Sequence, residues 1–226
     1  EKAWKLNETI IALDGITPPE TYQPRQHLLT PIGMPGTMIK WLKENDVHDI
    51  VMTGALRRPD WLKLKVDPRG LKIIAKILLK KSMGDDALLR TLRRELEADG
   101  FTLHGIQDFV PDLLAPAGVM GQVQPLPEDA DTIQLGFNAA KEHGRQDKGQ
   151  SVIVQQDVVL GLEGNDGTAA LMNKAASIKS TGRGPILVKV CKPQQDKALD
   201  MPTIGTQTVE TAHKGGFAGI VVEAGE

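Results

Sequence analysis

The stretch KPQQDKALDMPTIG, Lys192 to Gly205, carries Asp196, Lys197 and Asp200 between Pro193 and Pro202, directly after the apolar run PILVKVC. A carboxylate can ligate magnesium or activate water, and a lysine can hold a phosphate as a point charge. One Asp in such a loop is ordinarily a turn residue. Two, with Lys192 and Lys197 beside them and a proline on either side, read as a rigid loop that presents charge.

A second candidate is LEGNDGTAALM, Leu162 to Met172. A strand ends near Glu163 and a helix opens after Gly167-Thr168. Helix N-terminal amides attract anions, and Thr168 adds a hydroxyl. Glu163 and Asp166 are oxygen ligands of the kind magnesium takes. Equally, Asp166 or Thr168 could simply cap the helix. In TGALRRPD, Thr53 to Asp60, Arg57 and Arg58 offer planar forks for phosphate, although a solvated loop with two surface arginines is the plainer account. In GDDALLR, Asp85 suits an N-cap and Asp86 the helix dipole, with no function required. In GRQDKGQSVIV, Asp147 and Gln150 are either turn residues or ligand contacts.

Several classes are excluded. The formal net charge of -2 over 226 residues does not indicate a nucleic-acid surface. The single cysteine, Cys191, allows neither a disulfide framework nor a Cys-rich zinc site, and a reducing cytoplasm is the simplest compartment. The histidines lack the spacing of a zinc motif, and neither a Walker loop nor a G-x-S-x-G elbow is present. No run is apolar enough to span a bilayer. Lys72, Lys76 and Lys80 share a helix face beside Ile73, Ile74 and Ile77. That face could rest on an anionic membrane, but reads first as solvated.

Short apolar runs alternating with helical periodicity place these loops. TIIAL, DIVMTG and FTLHGI read as strands, and GTMIKWLKEND, LKIIAKILLKKSM and DDALLRTLRRELEADG as helices, the last closed by Gly100. Strand, helix, strand at this spacing is a parallel α/β unit. From Pro111 to Pro127 the texture turns proline-rich and aperiodic, which sets a domain boundary near Gln124–Leu126. Beyond it, DADTIQLGFNAAKEHG is helical, SVIVQQDVVLGLEG a hairpin, DGTAALMNKAASIKS a helix, PILVKVC a strand, TQTVETAHKGG a helix and GFAGIVVEAG a strand. The expected fold is α/β in two domains. Residues 1–125 form a Rossmann-like parallel domain lacking its first strand, and residues 126–226 a mixed α/β catalytic domain. The sequence opens almost directly into a strand, without Met, and stops just after one, so both ends are expected to be incomplete.

Taken in order, GALRRPD, GDDALLR, GRQDKGQ, DGTAALM and KPQQDKALDMPTIG, closed by GGFAGIVVEAG, resemble the UDP-2,3-diacylglucosamine pyrophosphatase family of lipid A biosynthesis in its LpxI form. The resemblance covers nearly the whole chain. It implies a magnesium-dependent hydrolase, cytoplasmic and peripheral at the inner membrane, with two α/β domains and the lipid held between them. The substrate would be UDP-2,3-diacylglucosamine and the products UMP and 2,3-diacylglucosamine 1-phosphate (lipid X), with water attacking the phosphorus nearer the sugar. A homodimer is compatible with it. The Asp of the D-x-P-T-I-G motif, the family's main catalytic acid, falls on Asp200. Arg58, Gly167, Thr168, Lys192 and Thr203 become the substrate- and phosphate-binding set. Glu163, Asp166 and Asp200 become the magnesium ligands.

One position departs. Where the family pattern reads E-G-T-D-A-M, this chain reads Asp166-Gly167-Thr168-Ala169-Ala170-Leu171, so the second acid is Ala169. If that acid binds magnesium, metal binding is weakened here; if it packs or caps, nothing is lost. Two other readings stand beside the enzyme: a non-catalytic lipid- or nucleotide-binding homologue, with Ala169 as its mark, and a dinucleotide-binding oxidoreductase, for which no G-x-G-x-x-G fingerprint is present.

Overall fold

The computed structural model describes residues 8–54, 64–78 and 85–226. The chain divides into two compact units, Glu1–Val110 and Pro111–Glu226. The division precedes the proline-rich stretch rather than falling inside it at Gln124–Leu126. That stretch is tied to the second unit: Gly225 N–H donates to the Ala115 carbonyl (2.8 Å), and Leu126 N–H to the Asp129 carboxylate (2.8 Å).

In the first unit β1 (Ile10–Leu13) runs parallel to β2 (His27–Thr30), with Ile10 opposite His27 and Leu13 opposite Thr30. The crossover contains the short α1 (Pro19–Tyr22). A second parallel pair joins β3 (Asp49–Val51) to β4 (Thr102–His104). The strand at HLLT is not anticipated, because its apolar run is only Leu28-Leu29. α2 (Pro35–Glu44) links β2 to β3, and α3 (Pro68–Leu78) and α4 (Asp85–Glu97) precede β4. Phe101 N–H reaches back to the Leu96 carbonyl and Gly100 N–H to that of Glu97. This is a Schellman close, with Gly100 at φ 92°, where only glycine sits without strain.

Asp67 organises the helices of this unit. One carboxylate oxygen accepts from Gly70 N–H (2.7 Å), the third residue of α3, and the other from Thr37 N–H (3.1 Å), the third residue of α2. A single side chain therefore caps two helices, each of which opens on a proline. α3 starts ahead of the apolar run LKII because of this Asp-Pro pair. Asp99 takes Arg69 and Lys43 together, and Lys76 pairs with Glu95, so part of the lysine face on α3 serves helix–helix pairing. Burial raises the Asp99 carboxyl, but the two cations outweigh it and hold the group below the usual carboxylate range. Lys80 lies outside the described residues.

The second unit is a four-stranded mixed sheet, ordered β6-β5-β7-β8, between helices on both faces. β5 (Ser151–Gln155) and β6 (Val158–Leu162) form the expected hairpin. Its turn residues, Gln156 and Asp157, have φ 47° and 59°, the left-handed pair a two-residue hairpin loop demands. The Thr132 hydroxyl donates to the Asp157 carboxylate at 2.7 Å and holds the turn against α5 (Asp129–Arg145). β7 (Ile186–Lys189) pairs antiparallel with β5 and parallel with β8 (Gly219–Val222).

Strand alternation separates two cores. Val152, Val154, Ile186, Val188 and Val190 pack with Ala140 of α5. Gly136 of α5 is required here, since a Cβ would meet the Val188 side chain at 2.6 Å. Ile153 and Leu187 pack on the opposite face with Leu171, Met172 and Ala175 of α6 (Gly167–Ile178) and Ala212 of α7 (Thr206–Gly215). By the same parity, Ser151 and Lys189 belong to the α6 face.

Candidate active site

The C-terminal end of β7 and the N-terminal end of α6 bring the candidate residues together in the second unit. Glu163 follows β6, where its N–H donates to the Ser151 carbonyl (2.9 Å) and its own carbonyl accepts from His143 Nε2 (2.6 Å). Gly149 packs against this backbone so closely that a Cβ would lie 2.8 Å from the Glu163 carbonyl oxygen. With the main chain held, the Glu163 carboxylate accepts from Gln150 N–H (2.9 Å) and from the Thr168 hydroxyl (2.5 Å). Ser151 Oγ lies 3.2 Å from the same hydroxyl oxygen.

Lys189 is central, although sequence reasoning did not single it out. Its side chain emerges from an otherwise apolar strand, and only 9% of the residue is exposed. The ammonium donates to the Thr203 carbonyl (2.9 Å) and lies 3.5 Å from Thr168 Oγ1. Burial pushes its pKa down, while the carboxylates of Glu163 and Asp200 act in the opposite direction. The signal in the sequence is the lysine itself: a fully buried strand admits a charge only where something uses it.

Asp200 is held by Gln195. The Gln195 carbonyl oxygen accepts from Lys192 N–H (2.8 Å) and from the Cys191 thiol (3.3 Å). That fixes the amide orientation, so its NH2 donates to Gln150 (3.2 Å) and to Asp200 Oδ2 (2.6 Å). Asp200 Oδ1 has no hydrogen bond among the described residues. A chain of contacts thus joins Glu163, Gln150, Gln195 and Asp200. In the proline-bounded loop, Asp200 N–H bonds back to the Asp196 carbonyl (3.0 Å), closing the turn that presents the carboxylate.

The remaining candidates divide. Gly167 (φ 79°) makes the bend into α6, and Thr168 contacts Glu163 as described. Thr203 contributes its carbonyl to Lys189, while its hydroxyl turns back to the Met201 carbonyl (3.1 Å). Lys192 is engaged by Asp147 at 2.8 Å; Asp147 itself is a turn residue at φ 53°. Asp166 stands exposed at the start of α6, and its side chain makes no cap. Ala169 is exposed in the first turn of that helix. Arg58 lies outside the described residues. Cys191 is buried and its thiol is pushed up to about 11, chiefly by burial, which keeps it protonated and unreactive at neutral pH.

Among the described residues no three or more His, Cys, Asp or Glu side chains gather to hold a metal ion. Glu163, Asp166 and Asp200 are therefore not a ready-made three-carboxylate cage. Among the same residues no helix is long and apolar enough to cross a membrane.

The chain matches the family model of the LpxI N-terminal domain over residues 2–113 and that of the LpxI C-terminal domain over residues 116–226. It is 36% identical over 200 residues to the UDP-2,3-diacylglucosamine pyrophosphatase LpxI of Caulobacter vibrioides, a stretch that covers 86% of this chain and 71% of that protein.

Proposed function

The chain belongs to the LpxI family, and on that premise we propose that it hydrolyses UDP-2,3-diacylglucosamine to UMP and 2,3-diacylglucosamine 1-phosphate. The observation that carries the reading is the 36% identity to the Caulobacter vibrioides pyrophosphatase over most of the chain. The site chemistry supports it, because a buried cation, an uncapped helix N-terminus and a positioned carboxylate suit an attack of water on a pyrophosphate.

Asp200 is the catalytic carboxylate in this account. Gln195 holds one oxygen and leaves the other able to take the proton of the attacking water. A P–O bond forms from water to one phosphorus, the bridging P–O bond breaks, and UMP leaves with the bridging oxygen if the attack falls on the sugar-side phosphorus. Glu163 and Gln150 brace the surrounding loops. Magnesium ordinarily takes one or two protein carboxylates and fills its shell with water and phosphate oxygens. No cage of three acids is assembled among the described residues, so Asp200 and Glu163 would be the residues to hold a magnesium ion, which would supply positive charge to the phosphates. The two acyl chains place the substrate at a membrane surface, and we propose that the protein meets it there peripherally, from the cytoplasmic side.

The test is direct. Purified protein with UDP-2,3-diacylglucosamine and magnesium should release UMP and the sugar 1-phosphate in equal amounts. Tight substrate binding without UMP would instead favour a non-catalytic binding homologue.

A further inference from the structure

Resting on the pyrophosphatase reading, we propose that Lys189, with the N-terminal amides of α6, grips a phosphoryl group of the substrate. Lys189 shares the α6-facing side of the sheet with Leu187, so its stem runs beneath the first turn of that helix. An ammonium has three donors. One is spent on the Thr203 carbonyl, and the Thr168 oxygen is at the limit of hydrogen-bond distance. Among the described residues no carboxylate stands within ion-pair distance of it: Lys189 makes no salt bridge of 4.0 Å or less. Glu163 and Asp200 offset part of the cost of burying this charge from a distance, and an anion arriving at bonding distance relieves more of it.

The second observation comes from α6 itself. Asp166 occupies the cap position, yet its side chain makes no cap hydrogen bond to the helix amides. Thr168 lies in that first turn and is also the residue nearest the ammonium. Its hydroxyl proton is directed to Glu163, which turns the oxygen lone pairs toward Lys189 and Ser151. Helix pole and buried cation therefore converge on one point, and the ligand chemistry that satisfies both is a phosphoryl group. Lys192, just beyond β7, is instead paired with Asp147.

The experiment compares wild type, Lys189→Met and Lys189→Gln in two ways. Turnover of UDP-2,3-diacylglucosamine is measured, and the melting temperature is taken with and without millimolar inorganic pyrophosphate. The expectation is a loss of kcat/KM of about 100-fold or more in both variants, of the size seen when a charge-stabilising donor is removed. The melting temperature without ligand should stay close to wild type, because the lost bond to Thr203 is offset by relief of a buried charge. Pyrophosphate should raise the melting temperature of wild type only. Turnover within about threefold of wild type in either folded variant, or an equal pyrophosphate shift in all forms, overturns the proposal. If both variants fail to fold, Lys189 is a structural bolt to Thr203 and the proposal falls. If wild type releases no UMP but shows a pyrophosphate shift that the variants lose, the pyrophosphatase reading fails while the anion site stands.

Discussion

Removing the Asp67 carboxylate should destabilise the first unit by an amount its geometry sets. The side chain satisfies one amide of α3 at 2.7 Å and one of α2 at 3.1 Å. An N-cap bond of this kind is worth about 1 kcal/mol, so Asp67→Ala should cost about 2 kcal/mol. Asp67→Asn keeps one acceptor oxygen but turns an NH2 toward the second amide, and should cost about half as much. With a urea dependence of about 2 kcal/mol per molar, the midpoint should fall by about 1 M for alanine and about 0.5 M for asparagine. Tryptophan fluorescence isolates the unit of interest, because Trp4, Trp41 and Trp61 all lie before Val110. Two variants with equal midpoints, or midpoints within about 0.2 M of wild type, would refute the double cap.

Asp129 should make the second unit acid-sensitive. Arg183 donates to both its oxygens (2.9 and 2.6 Å) and, against the opposing effect of burial, holds the carboxyl below its usual range. A depressed folded value contributes stability above the unfolded value, about 3.9, and loses it as the pH falls through the folded one. The gap in urea midpoint between wild type and Asp129→Asn, read by circular dichroism, should thus be constant near neutrality and narrow below about pH 4; a gap that is undiminished at about pH 2.5 would contradict this. Ala169→Asp restores an acid in the first turn of α6, next to the proposed phosphate site, and should lower the magnesium concentration for half-maximal turnover. Identical magnesium titrations would place position 169 outside the metal's reach.

The second unit is the more legible half of the chain. Its strands are continuous apolar runs and its helices carry clear periodicity, because burial on both faces of a sheet leaves no room for polar interruption. The same continuity hides Lys189, which passes for one residue of a strand when only the run is scored. In the first unit β2 offers only two successive apolar residues, Leu28 and Leu29, and α3 is announced by Asp67-Pro68 rather than by its apolar face. The domain division follows contacts such as Gly225 to Ala115, which join residues far apart in sequence, whereas proline content reports only local stiffness. Of the candidate residues, Asp200 sits in a turn closed within its own loop by its N–H to the Asp196 carbonyl, so the prolines around it announce that turn. Lys192 is not legible in this way, because its partner Asp147 is distant in the chain. Gln195 is not either, since an amide carries no signature until its four partners are known.

The central claim is that Asp200, oriented by Gln195, drives water onto the pyrophosphate. The measurement that tests it most directly is single-turnover UMP release by wild type and Asp200→Asn at saturating UDP-2,3-diacylglucosamine and magnesium, on proteins with matched melting temperatures. Asparagine keeps the bulk and can still meet Gln195 through its carbonyl, but it cannot take a proton. The account predicts rapid release by wild type and a drop of at least about 100-fold in Asp200→Asn with folding intact. Near-equal rates in the two proteins would contradict it.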